Sequence, residues 1–395
     1  MWINREAESL LKQRVSTRPA VVLTGARQTG KTALARRLFP DFHYVSLDLP
    51  SAAAEAETSP EAFLERHPTP LIIDEVQYAP AIFRHLKTVI DGDRAQNGQF
   101  LLTGSQPFSL MQGVADSLAG RVAIVHLEGL TWAEARQALP NVRIEELIWR
   151  GGFPELYANP NIDPQQFHAD YIATYLERDL RNVLAVTNLR DFDRFLRACG
   201  GRTGGLLNLA DLGRDIGITG PTAKQWLSAL ERSSQVALLE PWYTSHIKGL
   251  TKSPKLFIGD SGTACFLTGH RSPEALLSSP LRGALWETAV FAELRRVQLN
   301  RLGRWDLQFF RNRSREVDFL QQVAGRLHLA DAKWSEQPSE RDLKQLKAAA
   351  SAIGEDQVGS LSLLCRAPNS HPIGSGASEV KAYAAWDIGD WARIT

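Results

Sequence analysis

The residues best suited to chemistry stand near the beginning of the chain, in Gly25-Ala26-Arg27-Gln28-Thr29-Gly30-Lys31-Thr32. This run satisfies G-x-x-x-x-G-K-[ST] at every fixed position, between the apolar Val21-Val22-Leu23 and a helix-forming stretch beginning at Ala33. A strand, a glycine-bounded loop and a helix N-terminus together make a phosphate site. The glycines let the backbone curl until successive N–H groups face phosphate oxygens. Lys31 would then reach the β- and γ-phosphates of ATP, and the Thr32 hydroxyl would hold Mg²⁺. Further along, Leu71-Ile72-Ile73-Asp74-Glu75 reads as a buried parallel strand. Its acidic pair emerges at the C-terminal edge, where such sheets bind ligands. Asp74 would bind the Mg²⁺ through water and Glu75 would polarise the attacking water. Each motif alone has a blander reading, a chance match or a strand that happens to end in two acids. Their succession points to a nucleotide.

A second constellation lies near the other end. Glu287 shares a helix face with the apolar Val290, Phe291 and Leu294, and a carboxylate turned toward a core is costly unless paired or metal-bound. In Arg315-Glu316-Val317-Asp318-Phe319-Leu320, Asp318 alternates in sense with Val317 and Phe319. After a turn at Gly325, Asp331 and Lys333 share one face of the next strand. A helix Glu, a strand Asp and a D-x-K on the partner strand resemble the metal site of restriction-endonuclease-type nucleases. That resemblance implies Glu287, Asp318 and Asp331 as oxygen ligands of a metal ion, with Lys333 positioning or activating water beside it. Asp331 is shorter than the Glu at least as common there. The competing reading is a buried salt-bridge cluster of Lys333 with two carboxylates, kept after loss of cutting. The Arg311-Asn312-Arg313-Ser314-Arg315 run would hold a backbone phosphate or form a solvated loop.

These groups need a scaffold. The pattern predicts strands at Val21–Thr24, His43–Leu49, Leu71–Glu75, Gln99–Thr103 and Val122–Leu127, with helices between them. The phosphate loop, the acidic pair, a polar residue after the fourth strand and an arginine just before the last strand resemble an AAA-type ATPase. The resemblance implies that Ser105 or Thr103 senses the γ-phosphate. It also implies that Arg121 acts on a neighbouring subunit's nucleotide, which requires a homo-oligomer. A surface arginine at a strand start is the plainer reading of Arg121. Gly151-Gly152-Phe153-Pro154, followed by Tyr171-x-x-x-Tyr175-Leu176-Glu177-Arg178-Asp179, is similar to a group of bacterial and archaeal AAA-type proteins with a conjoined C-terminal domain of uncharacterised function. For Arg178 and Asp179 an interdomain ion pair is expected.

The expected fold is α/β, with a P-loop ATPase core over residues 1–130 and a helical lid over 131–200. A winged helix over 201–270 and a restriction-endonuclease-like α/β domain over 280–395 complete it. The winged helix rests on two short helices joined by Gly217-Ile218-Thr219-Gly220, then two strands around a Lys-rich tip. Its exposed cations would be Lys224 and Arg232, beside Gln225, with Lys248, Lys252 and Lys255 on the wing. DNA or RNA is therefore a candidate partner, although winged helices also dock proteins.

Composition sets the outer bounds. Among 395 residues, 44% are hydrophobic and 23% charged, as in ordinary globular proteins of two or three domains. A net charge of +1 gives no global sign of a nucleic-acid or membrane partner, so any basic surface is local. The widely spaced Cys199, Cys265 and Cys365 suit neither a disulfide framework nor a zinc cluster. No apolar run is long enough to span a membrane and the N-terminus lacks a signal-peptide core, so a cytoplasmic location without a membrane partner is expected.

Overall fold

The computed structural model describes residues 1–104, 117–175, 189–243, 252–313, 315–374 and 379–394. Its first sheet comprises β1 (Ala20–Thr24), β2 (His43–Ser46), β3 (Leu71–Asp74), β4 (Phe100–Gly104) and β5 (Val122–His126). All pairings are parallel, in the order β2-β3-β4-β1-β5. β1 is buried throughout because both faces are covered. Ala20 and Val22 face the Ile82–Gly92 helix side with Ile73, Leu102, Phe83 and Leu86. Val21 and Leu23 face Leu10, Leu11 and Val15 of the Ala7–Thr17 helix, with Leu34 beside them. Between β2 and β3 the chain forms two helices, Pro50–Thr58 and Pro60–Arg66. Pro60 cannot donate a backbone hydrogen bond and pushes Ser59 out of the helical region, so the run breaks there.

Helices Trp132–Ala138, Ile144–Arg150, Glu155–Ala158, Pro164–Tyr175 and Leu189–Gly200 follow. Thr131 and Glu134 start the first with a reciprocal capping box. Next come helices Leu209–Ile216 and Gly220–Arg232 with a small antiparallel sheet of β6 (Gly205–Leu206), β7 (Val236–Leu239) and β8 (Lys255–Ile258), ordered β6-β8-β7. Trp226 is buried, its ring centroid 5.0 Å from that of Phe192.

The long Arg282–Leu302 helix leads to a separate six-stranded sheet. Its strands are β9 (Gln308–Arg311), β10 (Glu316–Val323), β11 (Arg326–Lys333), β12 (Val358–Cys365), β13 (His371–Ile373) and β14 (Val380–Tyr383), ordered β13-β14-β12-β11-β10-β9. Ala324 and Gly325 both take positive φ, 49° and 80°, as a two-residue hairpin between β10 and β11 requires. The strict alternation expected along β10 fails at one point. The register against β9 shifts between Val317 and Leu320, so Val317 and Phe319 pack into different clusters. Phe319 joins Phe257 and Phe291, and the same core holds residues of the helices from Trp132 to Gly200 with Trp226 and Trp286.

Candidate functional site

The phosphate loop leaves the C-terminal end of β1. Gly25 has φ 140°, and a Cβ there would lie 2.1 Å from the Leu127 carbonyl oxygen, so no side chain fits. Gln28 and Gly30, at φ 61° and 88°, curl the loop into the Lys31–Leu38 helix. The buried Lys31 ammonium donates to the Gly25 and Ala26 carbonyls at 3.1 and 2.7 Å, and burial pulls its pKa down to about 8. Thr29 Oγ1 closes the curve by donating to the Ala26 carbonyl at 3.0 Å.

Across the loop, the Asp74 carboxylate is 5% exposed and accepts three hydroxyls. Thr32 Oγ1 lies 2.7 Å from Oδ1, Tyr44 OH lies 3.0 Å from Oδ2, and Thr103 Oγ1 also donates to Oδ1. Glu75 turns away from β3 with φ 54°, its backbone N–H donating to Thr103 Oγ1 at 3.3 Å and its carboxylate accepting from Gln77 Nε2. Of the two polar residues expected at the end of β4, Thr103 is thus brought to both acids. Ser105 lies outside the described residues. Lys31, Thr32, Asp74 and Thr103 converge. The hydroxyl and carboxylate oxygens of Thr32 and Asp74 form a hard donor pair that fits Mg²⁺, and the curled amides with a buried ammonium fit a polyphosphate. Sequence reasoning missed Tyr44 and Gln77. Tyr44 reaches Asp74 because β2 pairs with β3, which no local sequence signal announces.

Arg121 is engaged within its own chain. Its Nε and Nη2 donate to Asp91 Oδ1 and Oδ2 at 2.7 and 2.9 Å, and this bond holds the Asp91 carboxyl below the usual range.

The Gly151-Gly152 pair forms a buried junction. Gly152 N–H donates to Asp260 Oδ1 at 2.7 Å, while Arg296 from the long helix reaches the same oxygen at 2.8 Å and the Leu130 carbonyl at 3.1 Å. A Cβ on Gly151 would meet Asp260 and one on Gly152 would meet Arg296, each within 2.5 Å. The double glycine is what allows that approach. Arg178 and Asp179 lie outside the described residues.

At the C-terminal site the expectation meets a lysine. Lys255, expected as an exposed wing cation, is 1% exposed on β8. Its Nζ lies 2.7 Å from Glu287 Oε1, 2.6 Å from Glu316 Oε1 and 3.2 Å from Asp318 Oδ1. The ammonium therefore sits between two of the expected metal ligands. Asp318 also accepts the Ala332 N–H at 3.0 Å, and Asp331 accepts the Asp318 N–H at 3.2 Å and pairs with Lys333 at 3.5 Å. Glu316 also pairs with Arg311 at 3.0 Å, so Lys255 serves chiefly Glu287 and Asp318. Burial and the Asp318 charge push Glu287 up to about 8, and the same causes push Asp331 up to about 7. Among the described residues no group of three His, Cys, Asp or Glu side chains is arranged to hold a metal ion. The salt-bridge alternative considered Lys333 as the central cation. The central cation is Lys255, which sequence reasoning missed because it belongs to a different sheet. Lys333, Arg311, Arg313 and Arg315 line an open cleft of about 370 Å³, together with the carboxylates of Glu316, Asp318 and Asp331. Among the described residues no helix is long and apolar enough to cross a membrane.

The parallel sheet and its phosphate loop define an AAA-type P-loop ATPase domain, and residues 17–136 match the AAA domain family. Residues 141–274 match a domain of unknown function (DUF8612), and residues 282–383 match another (DUF4143). The chain is 30% identical over 345 residues to the uncharacterized protein Mb2031c of Mycobacterium bovis, covering 85% of this chain and 75% of that one. The same figures hold for the uncharacterized protein Rv2008c of Mycobacterium tuberculosis. The chain belongs to the family of these two proteins, an AAA-type P-loop ATPase family. Among solved structures it is similar to the Walker-type ATPase PABY2304 of Pyrococcus abyssi, at 18% identity and TM-score 0.45 over 66% of this chain and 94% of that one. It is also similar to the RuvB Holliday junction branch migration motor of Thermotoga maritima, at 18% identity and TM-score 0.31 over 60% and 89%.

Proposed function

We propose that this chain is an ATP-dependent switch: it binds and hydrolyses Mg-ATP at the phosphate loop, and the following domains answer to the nucleotide. The observation that carries the reading is the convergence of Lys31, Thr32 and Asp74 at the C-terminal end of a parallel sheet. The loop amides from Gly25 to Thr32 bind the phosphates. Lys31 gives up its bonds to the Gly25 and Ala26 carbonyls and takes phosphate oxygens instead. Thr32 and Asp74 would hold Mg²⁺, which when bound neutralises charge on the transferring phosphoryl group. Glu75 orients the attacking water, and Thr103 fixes Asp74 and Glu75 relative to each other. Ser105 is a second candidate for sensing the γ-phosphate. Arg121 reaches a neighbouring subunit's nucleotide only by leaving Asp91, so that role implies a homo-oligomer in which the Asp91 pair opens.

The domains that follow are read as a helical lid, a winged helix and a restriction-endonuclease-like fold. The Lys255 ammonium between Glu287 and Asp318 favours a nuclease-like domain that does not cut. The cleft lined by Arg311, Arg313, Arg315 and Lys333 favours, as a second reading, binding of a nucleic-acid backbone. Mg-ATP turnover by the purified protein, lost in Lys31→Ala, tests the first reading, and equal turnover in that variant refutes it. DNA and RNA with Mg²⁺ or Mn²⁺, beside Asp318→Ala as the contamination control, test the second. Salt-sensitive binding without cleavage is expected. Cleavage lost in Asp318→Ala would restore the nuclease.

A further inference from the structure

Arg5 carries an arrangement that none of the motifs accounts for. It precedes the Ala7–Thr17 helix and is 6% exposed. Its Nη1 donates to the Thr29 carbonyl at 2.8 Å, inside the phosphate loop. Nη2 donates to the carbonyls of Glu128 at 2.8 Å and Gly129 at 3.2 Å, just beyond β5. Nε donates to Glu134 Oε2 at 3.1 Å. Glu134, wholly buried, also accepts the backbone N–H groups of Glu6 at 2.5 Å and Thr131 at 2.9 Å. The ion pair is thus made with Nε alone. The two terminal nitrogens hold main-chain carbonyls from two separate segments.

One of those carbonyls matters to the phosphate site. In a planar trans peptide the C=O and the following N–H point in opposite directions. With the Thr29 oxygen committed to Arg5, the Gly30 N–H on the same plane faces away from Arg5. Gly30 lies in the left-handed region at φ 88°, where the backbone is free to turn the peptide either way, and it immediately precedes the Lys31–Leu38 helix. Something must choose the orientation. We propose that Arg5 is a positioning residue of the phosphate loop, fixing the Thr29–Gly30 peptide so that the Gly30 N–H is presented to a nucleotide's phosphate. The inference rests on the nucleotide reading above. Arginine suits the task because its planar fork supplies donors in fixed, divergent directions. A lysine is a point charge and does not span Thr29, Glu128 and Glu134 at once.

Two variants of the full chain separate positioning from folding, with ADP as the probe in titration calorimetry well below the melting temperature. Arg5→Lys keeps the charge and loses the fork, so ADP affinity is expected to fall about tenfold, the loss of one hydrogen bond to a charged group. The KM for ATP should rise while kcat is kept, as when binding common to ground and transition states is removed. Glu134→Gln removes the ion pair and leaves the bond to Thr29, so it should lower the melting temperature and shift ADP affinity less than about threefold. Wild-type ADP affinity in Arg5→Lys would overturn the inference. So would an equal loss of affinity in Glu134→Gln, or failure of Arg5→Lys to fold, since each assigns Arg5 a folding role alone. Absence of ADP binding by the unaltered protein is a separate result, which would remove the nucleotide reading itself and this inference with it.

Discussion

Replacing Lys255 by methionine removes one ammonium and leaves its surroundings in place. In the folded chain that ammonium is 1% exposed and within 3.2 Å of oxygens from Glu287, Glu316 and Asp318. Methionine fills similar volume, so the cost is electrostatic. Removing one partner of a buried ion pair costs about 3–5 kcal/mol, because the remaining charge is stranded. The pH dependence gives this prediction its sign. Lys255 has a folded pKa above its unfolded value, so its contribution is fully present below about 10.4 and is lost only as pH rises beyond that. Between pH 5 and 8 it is therefore charged in both states of the wild type. In Lys255→Met the Glu287 carboxylate loses its cation, and its folded pKa, already pushed up to about 8 by burial, rises further. The folded variant then binds more protons than the unfolded chain above about pH 4.3, and its stability falls as pH rises. Urea unfolding of both proteins from pH 5 to pH 9 should show a deficit that is level at the acidic end and grows as pH passes about 8, where Glu287 ionises in the wild type and stays protonated in the variant. A deficit independent of pH, or below about 1 kcal/mol throughout, would refute the reasoning. Adding Glu287→Gln to the methionine variant should remove the pH-dependent part of the loss, since glutamine is neutral without taking up a proton.

Two further outcomes are expected at the nucleotide site. Gly25→Ala puts a Cβ 2.1 Å from the Leu127 carbonyl oxygen at a φ of 140°, so the loop and the β5 exit must separate; nucleotide binding should be abolished in calorimetry, and retained binding would contradict the geometry. Tyr44→Phe removes one of the three hydroxyls on Asp74 and should raise the Mg²⁺ concentration needed for half-maximal ATP turnover by about three- to tenfold at unchanged maximal rate, the scale of one ordinary intramolecular hydrogen bond. An unchanged Mg²⁺ dependence would show that Tyr44 does not orient the aspartate.

Much of the first sheet was legible because local signals there agree. Val21-Val22-Leu23 and Leu71-Ile72-Ile73 are continuous apolar runs, each followed at once by its polar group, and a strand buried on both faces leaves that pattern. Asp74 and Thr32 were readable as a pair for the same reason. Tyr44 was not, because its role depends on which strand lies beside β3, and order within a sheet is a non-local fact. Arg5 was invisible on the same ground: its partners are main-chain carbonyls, which no side-chain pattern announces. The C-terminal acids were found by spacing, but spacing gives only the residues of one segment. Lys255 comes from a strand of another sheet, more than thirty residues before Glu287, and only folding delivers it. The alternation that placed Phe319 with Val317 failed because a bulge is a backbone event that side-chain periodicity does not encode.

Phe153, Phe192, Trp226, Phe257, Phe291 and Phe319 belong to one buried core shared, among the described residues, by the helices after the first sheet, the β6–β8 sheet and the C-terminal sheet. Sequence divides that half of the chain into modules, yet a cut after Gly200 would bare tryptophan and phenylalanine rings on both fragments. Fragments trimmed at such a boundary should aggregate on expression, and calorimetry of the intact polypeptide should record the helices after Leu130, the β6–β8 sheet and the C-terminal sheet melting as one cooperative event.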